Sequence, residues 1–474
     1  MLKLFGVVLL MTPVGCTTGE VVSVDDPAIT VMERHRNHLL PDHVPFANAS
    51  GLATTVSRTG SIDLDNEFFQ DLGSNGRRCV SCHLPSAGWG ITPGQLRAVF
   101  DATRGGAIDD VLGLGAIFRT NDGSTSPDAD VSTLASRRDA YSLLLSRGLI
   151  RVSMAVPATA EFELVAVDDP YHHASAADLS MFRRPLPTTN LTFLSTVMWD
   201  GRETQPGMTI HFDLSQQATD ATQGHAQGDP LSDAQRESIV AMETALATAQ
   251  IYDRSAKQLD ADGAHGGPDA LAGEPFYIGI NDNFGDSQTH APFTPIVFDI
   301  YDAWATASGD GTGAQRRAVA RGQALFNTRT INISGVSGIN DEAAFGNPTT
   351  VAGTCTTCHD TPNSGNHSVV APLNIGLTDA SRRTPDMPLY TLRNKATGEL
   401  KQTTDPGRAM ISGKWKHIGR FKGPILRGLA ARPPYFHNGF AADLGAVLEF
   451  YDARFTMHLS PQDKADLVAF LQTL

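Results

Sequence analysis

The chain has 474 residues, a formal net charge of −14, and a composition that is 41% hydrophobic and 19% charged. That length exceeds what one hydrophobic core normally supports, so two domains are expected, and the proportions are ordinary for a soluble globular protein. The negative balance argues against nucleic acid as a partner.

The chain starts MLKLFGVVLLMTPVGC, a lysine followed by a short apolar run and small residues before Cys16. This predicts a bacterial export signal, too short to be a transmembrane anchor. Cys16-Thr-Thr-Gly resembles a lipoprotein attachment site, although Pro13 stands where leucine is usual. A lipid anchor at Cys16 and ordinary cleavage with release are both open, and either places the mature protein in the periplasm. No later segment is long and apolar enough to span a bilayer.

Residues 65–72 read as a helix leading through a loop into CVSCH at 79–83. Residues 119–130 (RTNDGSTSPDAD) form a polar loop. Residues 150–167 are rich in β-branched side chains about a Pro-Ala-Thr-Ala centre and predict a hairpin. Residues 232–250 give the clearest helix: Ser232 and Gln235 form a capping-box pair, and Ile239, Met242, Leu246 and Ala249 share one face. Residues 260–273 read as a loop whose acidic spacing fits no EF-hand. SGDGTG, within 306–313, marks a boundary. Residues 316–326 read as a second helix, leading into CTTCH at 355–359. Ser460-Pro461 starts a last helix with Leu467, Phe470 and Leu471 on its apolar side.

In each Cys-x-x-Cys-His, two thiols can form thioethers to a haem while the histidine ligates its iron. A redox disulfide would need a thioredoxin-like βαβ surround, which neither motif has. A structural zinc site would need the two pairs within a few tens of residues. Since small cytochrome c folds place a helix before the attachment motif, the expected fold is mainly α, with two tandem cytochrome c-like haem domains and a loop/β-hairpin insertion in the first. The expected divisions are 1–24 (export signal or lipoprotein tether), 25–305 (N-terminal haem domain with insertion) and 306–474 (C-terminal haem domain). The expected cofactors are two covalently bound haem c, on Cys79, Cys82 and His83 and on Cys355, Cys358 and His359.

Residues 183–202 (RRPLPTTNLTFLSTVMWDGR) and 421–451 (FKGPILRGLAARPPYFHNGFAADLGAVLEFY), taken with both CxxCH motifs in that order, resemble the bacterial di-haem cytochrome c peroxidase/MauG superfamily. The resemblance implies that Trp199, of the Trp-Asp-Gly-Arg motif, lies between the haems and carries electrons. It implies a distal ligand for the C-terminal haem at Tyr451, fourteen residues after His437, with Met457 as competitor; His437 itself would order the pocket. Ordinary peroxidases place a second histidine soon after the first CxxCH. No histidine occurs between His83 and His172, so the N-terminal iron is expected to keep an open face, unless His172 or His173 reaches it. The family's catalytic glutamine corresponds to Gln217. Near its glutamate stand His225 and Gln227, and His225 is the candidate base. The resemblance implies a calcium site held by an asparagine near the Arg-Pro segment, here Arg184-Pro185, and by a threonine before Pro-Tyr; Arg432 occupies the threonine position, so calcium is possible but doubtful.

These readings converge on a di-haem peroxidase that reduces hydrogen peroxide to water at the N-terminal haem. Electrons would come through the C-terminal haem from a small periplasmic cytochrome or cupredoxin. Two alternatives stand beside it: a MauG-like oxidase using peroxide to oxidise a protein or organic substrate, and a non-catalytic electron carrier.

Overall fold

The computed structural model describes Val21–Val22 and residues 39–474. The export signal and Cys16 lie outside the described residues. Among the described residues no helix is long and apolar enough to cross a membrane.

The fold is not mainly α. It is 32% helical and 17% strand, with several small sheets tying distant parts of the chain together. A four-stranded sheet runs in the order Lys257–Gln258, Leu246–Asp253, Gly51–Ser57, Phe46–Ala47. A three-stranded sheet runs Leu400–Thr403, Leu389–Asn394, Phe162–Asp168.

The hairpin expected at 150–167 does not form. Ile150–Met154 pairs instead with Leu179–Arg183, and Phe162–Asp168 pairs with Leu389–Asn394. The cause is burial. Phe162 packs with Leu179, Met181, Tyr390, Leu392 and Ile418 in one apolar cluster, and that gain exceeds what a short local ribbon could supply.

Other elements differ at their ends. Of residues 65–72 only Glu67–Phe69 is helical, as a 3₁₀ segment capped by the Asn66 side chain. Phe68 and Phe69 are adjacent yet both buried against Trp89, which a regular helix with one apolar stripe cannot achieve. Gly73 also runs so close to the Ala226 carbonyl that a side chain there would collide with it. The Ser232 capping box is present, with Ser232 Oγ accepting from Gln235 N and Gln235 Oε1 from Ser232 N. The helix it opens, Asp233–Ala245, stops five residues early. Leu246 and Ala249 belong to the strand, which pairs with Gly51–Ser57 and is locked by Thr248 to Thr55 and Thr189 (both 2.8 Å). Within 260–273, Pro268–Ala272 is a short helix.

Residues 316–326 lie inside the helix Thr312–Thr328, and the last helix is Pro461–Leu471 with Ser460 as its cap. These two helices cross closely at Gly322, whose missing Cβ admits the Asp466 carbonyl. Their apolar faces, with Phe298, Phe326 and Phe470, form the core beside the second CxxCH. A separate core holding Phe68, Trp89, Phe100 and Phe118 packs beside the first.

Candidate functional site

Each CxxCH motif opens on a cavity, of about 170 Å³ for the first and about 200 Å³ for the second. The local backbone is the same in both. Cys79–Ser81 and Cys355–Thr357 form 3₁₀ turns, and the histidine N–H closes back on the first cysteine carbonyl, at 3.1 Å for His83 and 3.2 Å for His359. His83 Nδ1 lies 3.2 Å from the Trp89 carbonyl, and His359 Nδ1 bonds the Gly365 carbonyl, also six residues on. Donation from Nδ1–H leaves Nε2 of each ring with its lone pair, the form in which imidazole binds a metal. Burial holds the His83 ring neutral, its pKa lowered to about 4.

None of the four motif cysteines forms a disulfide. Burial pushes Cys82 up to about 11 and Cys355 and Cys358 up to about 12, with Cys79 raised further. A redox CxxC pair works through a thiolate of lowered pKa, the opposite of the direction in which desolvation moves these thiols. Among the described residues no group of three or more His, Cys, Asp or Glu side chains could hold a metal ion. Two thiols and a neutral histidine on an apolar cavity wall do fit covalent haem.

The N-terminal cavity is lined by Cys79, Cys82, His83, Gln217 and His225, and also by Asp122, Glu243 and Arg432. Gln217 and His225 project from the helix Ile210–His225, two turns apart on one face, roughly 12 Å along the axis. His225 Nδ1 bonds Asp122, and Asp122 pairs with buried Arg77. Burial alone would raise the Asp122 carboxyl, but Arg77 and His225 hold it below its ordinary value. Arg77 in turn bonds the carbonyls of Ala116, Ile117 and His225. The expected base is therefore the end of a buried ion network. Its partner comes from residues 119–130, which read as a polar loop and whose residues 122–126 are buried.

Glu243 escaped the sequence reading. It is 4% exposed, and desolvation pushes its carboxyl up to about 8 with no compensating cation or hydrogen bond. A signal for it existed: Glu243 sits four residues after Ile239, a carboxylate on the apolar stripe of the helix. His172 and His173 do not reach the cavity. His172 is exposed, and His173 bonds Asp128 (3.1 Å) and Asp178 (3.0 Å).

The C-terminal cavity is almost wholly apolar, walled by residues such as Phe326, Ile333, Leu373, Leu448 and Leu471. Tyr451 and Met457 both line it, as do Trp199 and His437. Tyr451, on the helix Leu444–Phe455, stacks on Phe455, and burial raises its phenol well above the ordinary value. Only a bound cation would make phenolate favourable there. His437 stacks on Phe421 at 3.9 Å and meets Trp199 edge-on at 6.1 Å.

The structure thus gathers Gln217 and His225 at one motif and Trp199 and Tyr451 at the other. Between the cavities lies a partition to which Lys422 and Pro424, lining both, belong. Met198 faces the first and Trp199 the second, the chain taking a left-handed turn (φ 65°) at Met198. The Trp199 indole N–H donates to the Arg184 carbonyl at 2.8 Å. Asp200 is fully buried in an ion cluster with Arg183, Arg202 and, through Arg183, Asp405. The motif is therefore fixed in place by paired buried charges.

No protein-family model matches the chain. It is similar over 140 residues, at 27% identity, to the cytochrome-c peroxidase IdrP1 of Pseudomonas sp. (strain SCT), a match covering 25% of this chain and 36% of that protein. It is similar over 132 residues, at 30% identity, to the cytochrome-c peroxidase IdrP2 of Denitromonas iodatirespirans, covering 26% and 36%. The chain spans about a third of the length of these curated relatives. A solved MauG-like protein associated with microbial copper homeostasis aligns over 86% of this chain and 87% of its own, with 16% identity and a TM-score of 0.36. The two cytochrome-c peroxidases agree with the resemblance, carried by the motifs, to the di-haem cytochrome c peroxidase/MauG superfamily.

Proposed function

We propose that this chain is a periplasmic di-haem peroxidase that reduces hydrogen peroxide to water at the N-terminal site, with electrons relayed through the C-terminal site. The observation that carries this reading is the inequality of the two cavities. One gathers Gln217, His225 and Glu243 beside His83, whereas the other offers apolar walls with Tyr451 and Met457. Haem held by Cys79, Cys82 and His83 would supply an iron that binds and reduces peroxide. Cys355, Cys358, His359 and Tyr451 would hold a second haem.

Peroxide reduction takes up two electrons and two protons per molecule, yielding two waters. Glu243, protonated below about pH 8, holds a proton inside the cavity wall. His225 is oriented by Asp122 and can exchange a proton through its other nitrogen. Gln217 offers an amide to orient a polar ligand. Trp199, at the partition, gives electrons a π-system between the cavities. Calcium is doubtful in this reading, because Arg184 and Arg432 bring positive charge on the chain itself, Arg184 Nη2 donating to the Arg432 carbonyl at 3.3 Å. The electron donor would be a small periplasmic cytochrome or cupredoxin, and Cys16 a possible point of lipid attachment.

Tyr451 also favours a second reading, a MauG-like oxidase that uses peroxide to oxidise a protein or organic substrate, because a phenolate ligand tolerates oxidised iron. Rapid mixing of peroxide with the oxidised and the half-reduced holoprotein separates the two. Turnover only after one haem is reduced supports the peroxidase. A long-lived oxidised species formed without prior reduction supports the oxidase, and inertness in both states overturns both.

A further inference from the structure

Lys422 occupies an unusual position in the partition. It lines both cavities, and its backbone N–H donates to the Trp199 carbonyl at 2.9 Å. Its Nζ donates to the Thr196 carbonyl at 2.8 Å. An ammonium has three N–H donors, and that carbonyl accounts for one. Among the described residues no carboxylate pairs with it. In the first cavity Asp122 is already bound to Arg77 and His225 and Glu243 is held protonated by burial, and no acidic side chain lines the second. Desolvation lowers the Lys422 pKa to about 7, with nothing opposing it.

Burial without a counter-charge disfavours the charged form of an amine, and an anion entering with a ligand between the two cavities would restore the ammonium. Arg432 makes the same point on the first cavity, where its guanidinium bonds only backbone carbonyls. Haem carries two carboxylates, and they are the only anionic groups the proposed cofactor brings.

We propose that Lys422 is a shared positioning residue of the two sites, its ammonium pairing with the carboxylates of haems seated in both cavities and setting the reduction potential of both. This rests on the di-haem reading above. One positive charge near both groups favours their reduced states, so removing it makes both harder to reduce. A lysine that merely fills the partition would have no such effect.

Lys422→Gln keeps an N–H donor for Thr196 but removes the charge, and Lys422→Arg keeps the charge. Haem content of each holoprotein is measured first, followed by spectroscopic redox titration of both haems. Two haems in the wild type, a downward shift of both potentials in Lys422→Gln, and wild-type potentials in Lys422→Arg support the proposal. Failure of Lys422→Gln to retain haem, with Lys422→Arg normal in content and potentials, also supports it. A shift at one haem only, at neither, or an equal effect of both substitutions overturns the proposal while leaving the di-haem reading intact. Fewer than two haems in the wild type overturns both.

Discussion

His83 and His359 sit in the same local device: a 3₁₀ turn over the two thiols and an Nδ1–H given to a carbonyl six residues later. Beyond that device the two sites diverge. Around His83 the walls carry Gln217, His225, Asp122 and Glu243. Around His359 they carry aliphatic and aromatic side chains, with Tyr451 and Met457. Identical attachment therefore leaves the chemistry to the rest of the wall. A polar wall can deliver protons, whereas a dry wall with a potential ligand suits storage and passage of electrons.

The largest expected effect comes from removing one device at a time. Cys355→Ala with Cys358→Ala is expected to halve the covalent haem while leaving the first site's absorption in place, and Cys79→Ala with Cys82→Ala to do the reverse. A pyridine haemochrome assay reads both, and unchanged haem in either pair would refute attachment there. Next comes Asp122→Asn, which leaves buried Arg77 without its carboxylate. Removing one member of a buried pair costs about 3–5 kcal/mol, so thermal or denaturant unfolding should show a loss of that order. A change within error would mean that the network does not support the first site.

Glu243 gives a smaller, pH-dependent effect. Its carboxyl is raised from 4.5 to about 8 by burial, so the folded state binds a proton that the unfolded state has lost. Its stabilising contribution is complete below 4.5 and declines as pH rises towards about 8, at up to about 1.4 kcal/mol per unit. Glu243→Gln should flatten that stretch of the stability profile and leave pH 4 unchanged. An identical profile in the variant would show that the acid is not held neutral. The smallest effect is expected from Trp199→Phe, which keeps an aromatic ring in the partition but loses the bond to the Arg184 carbonyl. Electron transfer between the sites should slow roughly tenfold, about 1.4 kcal/mol on the barrier, with peroxide binding unaffected. Equal slowing of both steps would place Trp199 in the structure of the pocket alone.

Much of this contrast was visible in the sequence, because it rests on contiguous motifs. CVSCH, CTTCH, the Trp199 segment and the stretch ending at Tyr451 each announce themselves within a few residues. The caps at Ser232 and Ser460 were also legible, since capping is a local hydrogen-bond pattern. What escaped depends on distant partners. The strands Ile150–Met154 and Phe162–Asp168 have the composition of a hairpin, yet each finds a better-buried neighbour elsewhere. Leu246 and Ala249 continue a helical stripe but are claimed by a strand partner near residue 55. Asp122 lies in a polar stretch, and nothing local distinguishes it from the polar residues around it. Its role appears only when Arg77 and His225 come within reach.

The inequality of the two sites is tested most directly by electron paramagnetic resonance of the fully oxidised holoprotein, with and without cyanide. One high-spin ferric signal that converts to low-spin with one equivalent of cyanide, beside one low-spin signal that ignores it, is the expected result. Two alike low-spin signals, neither responding to cyanide, would contradict it.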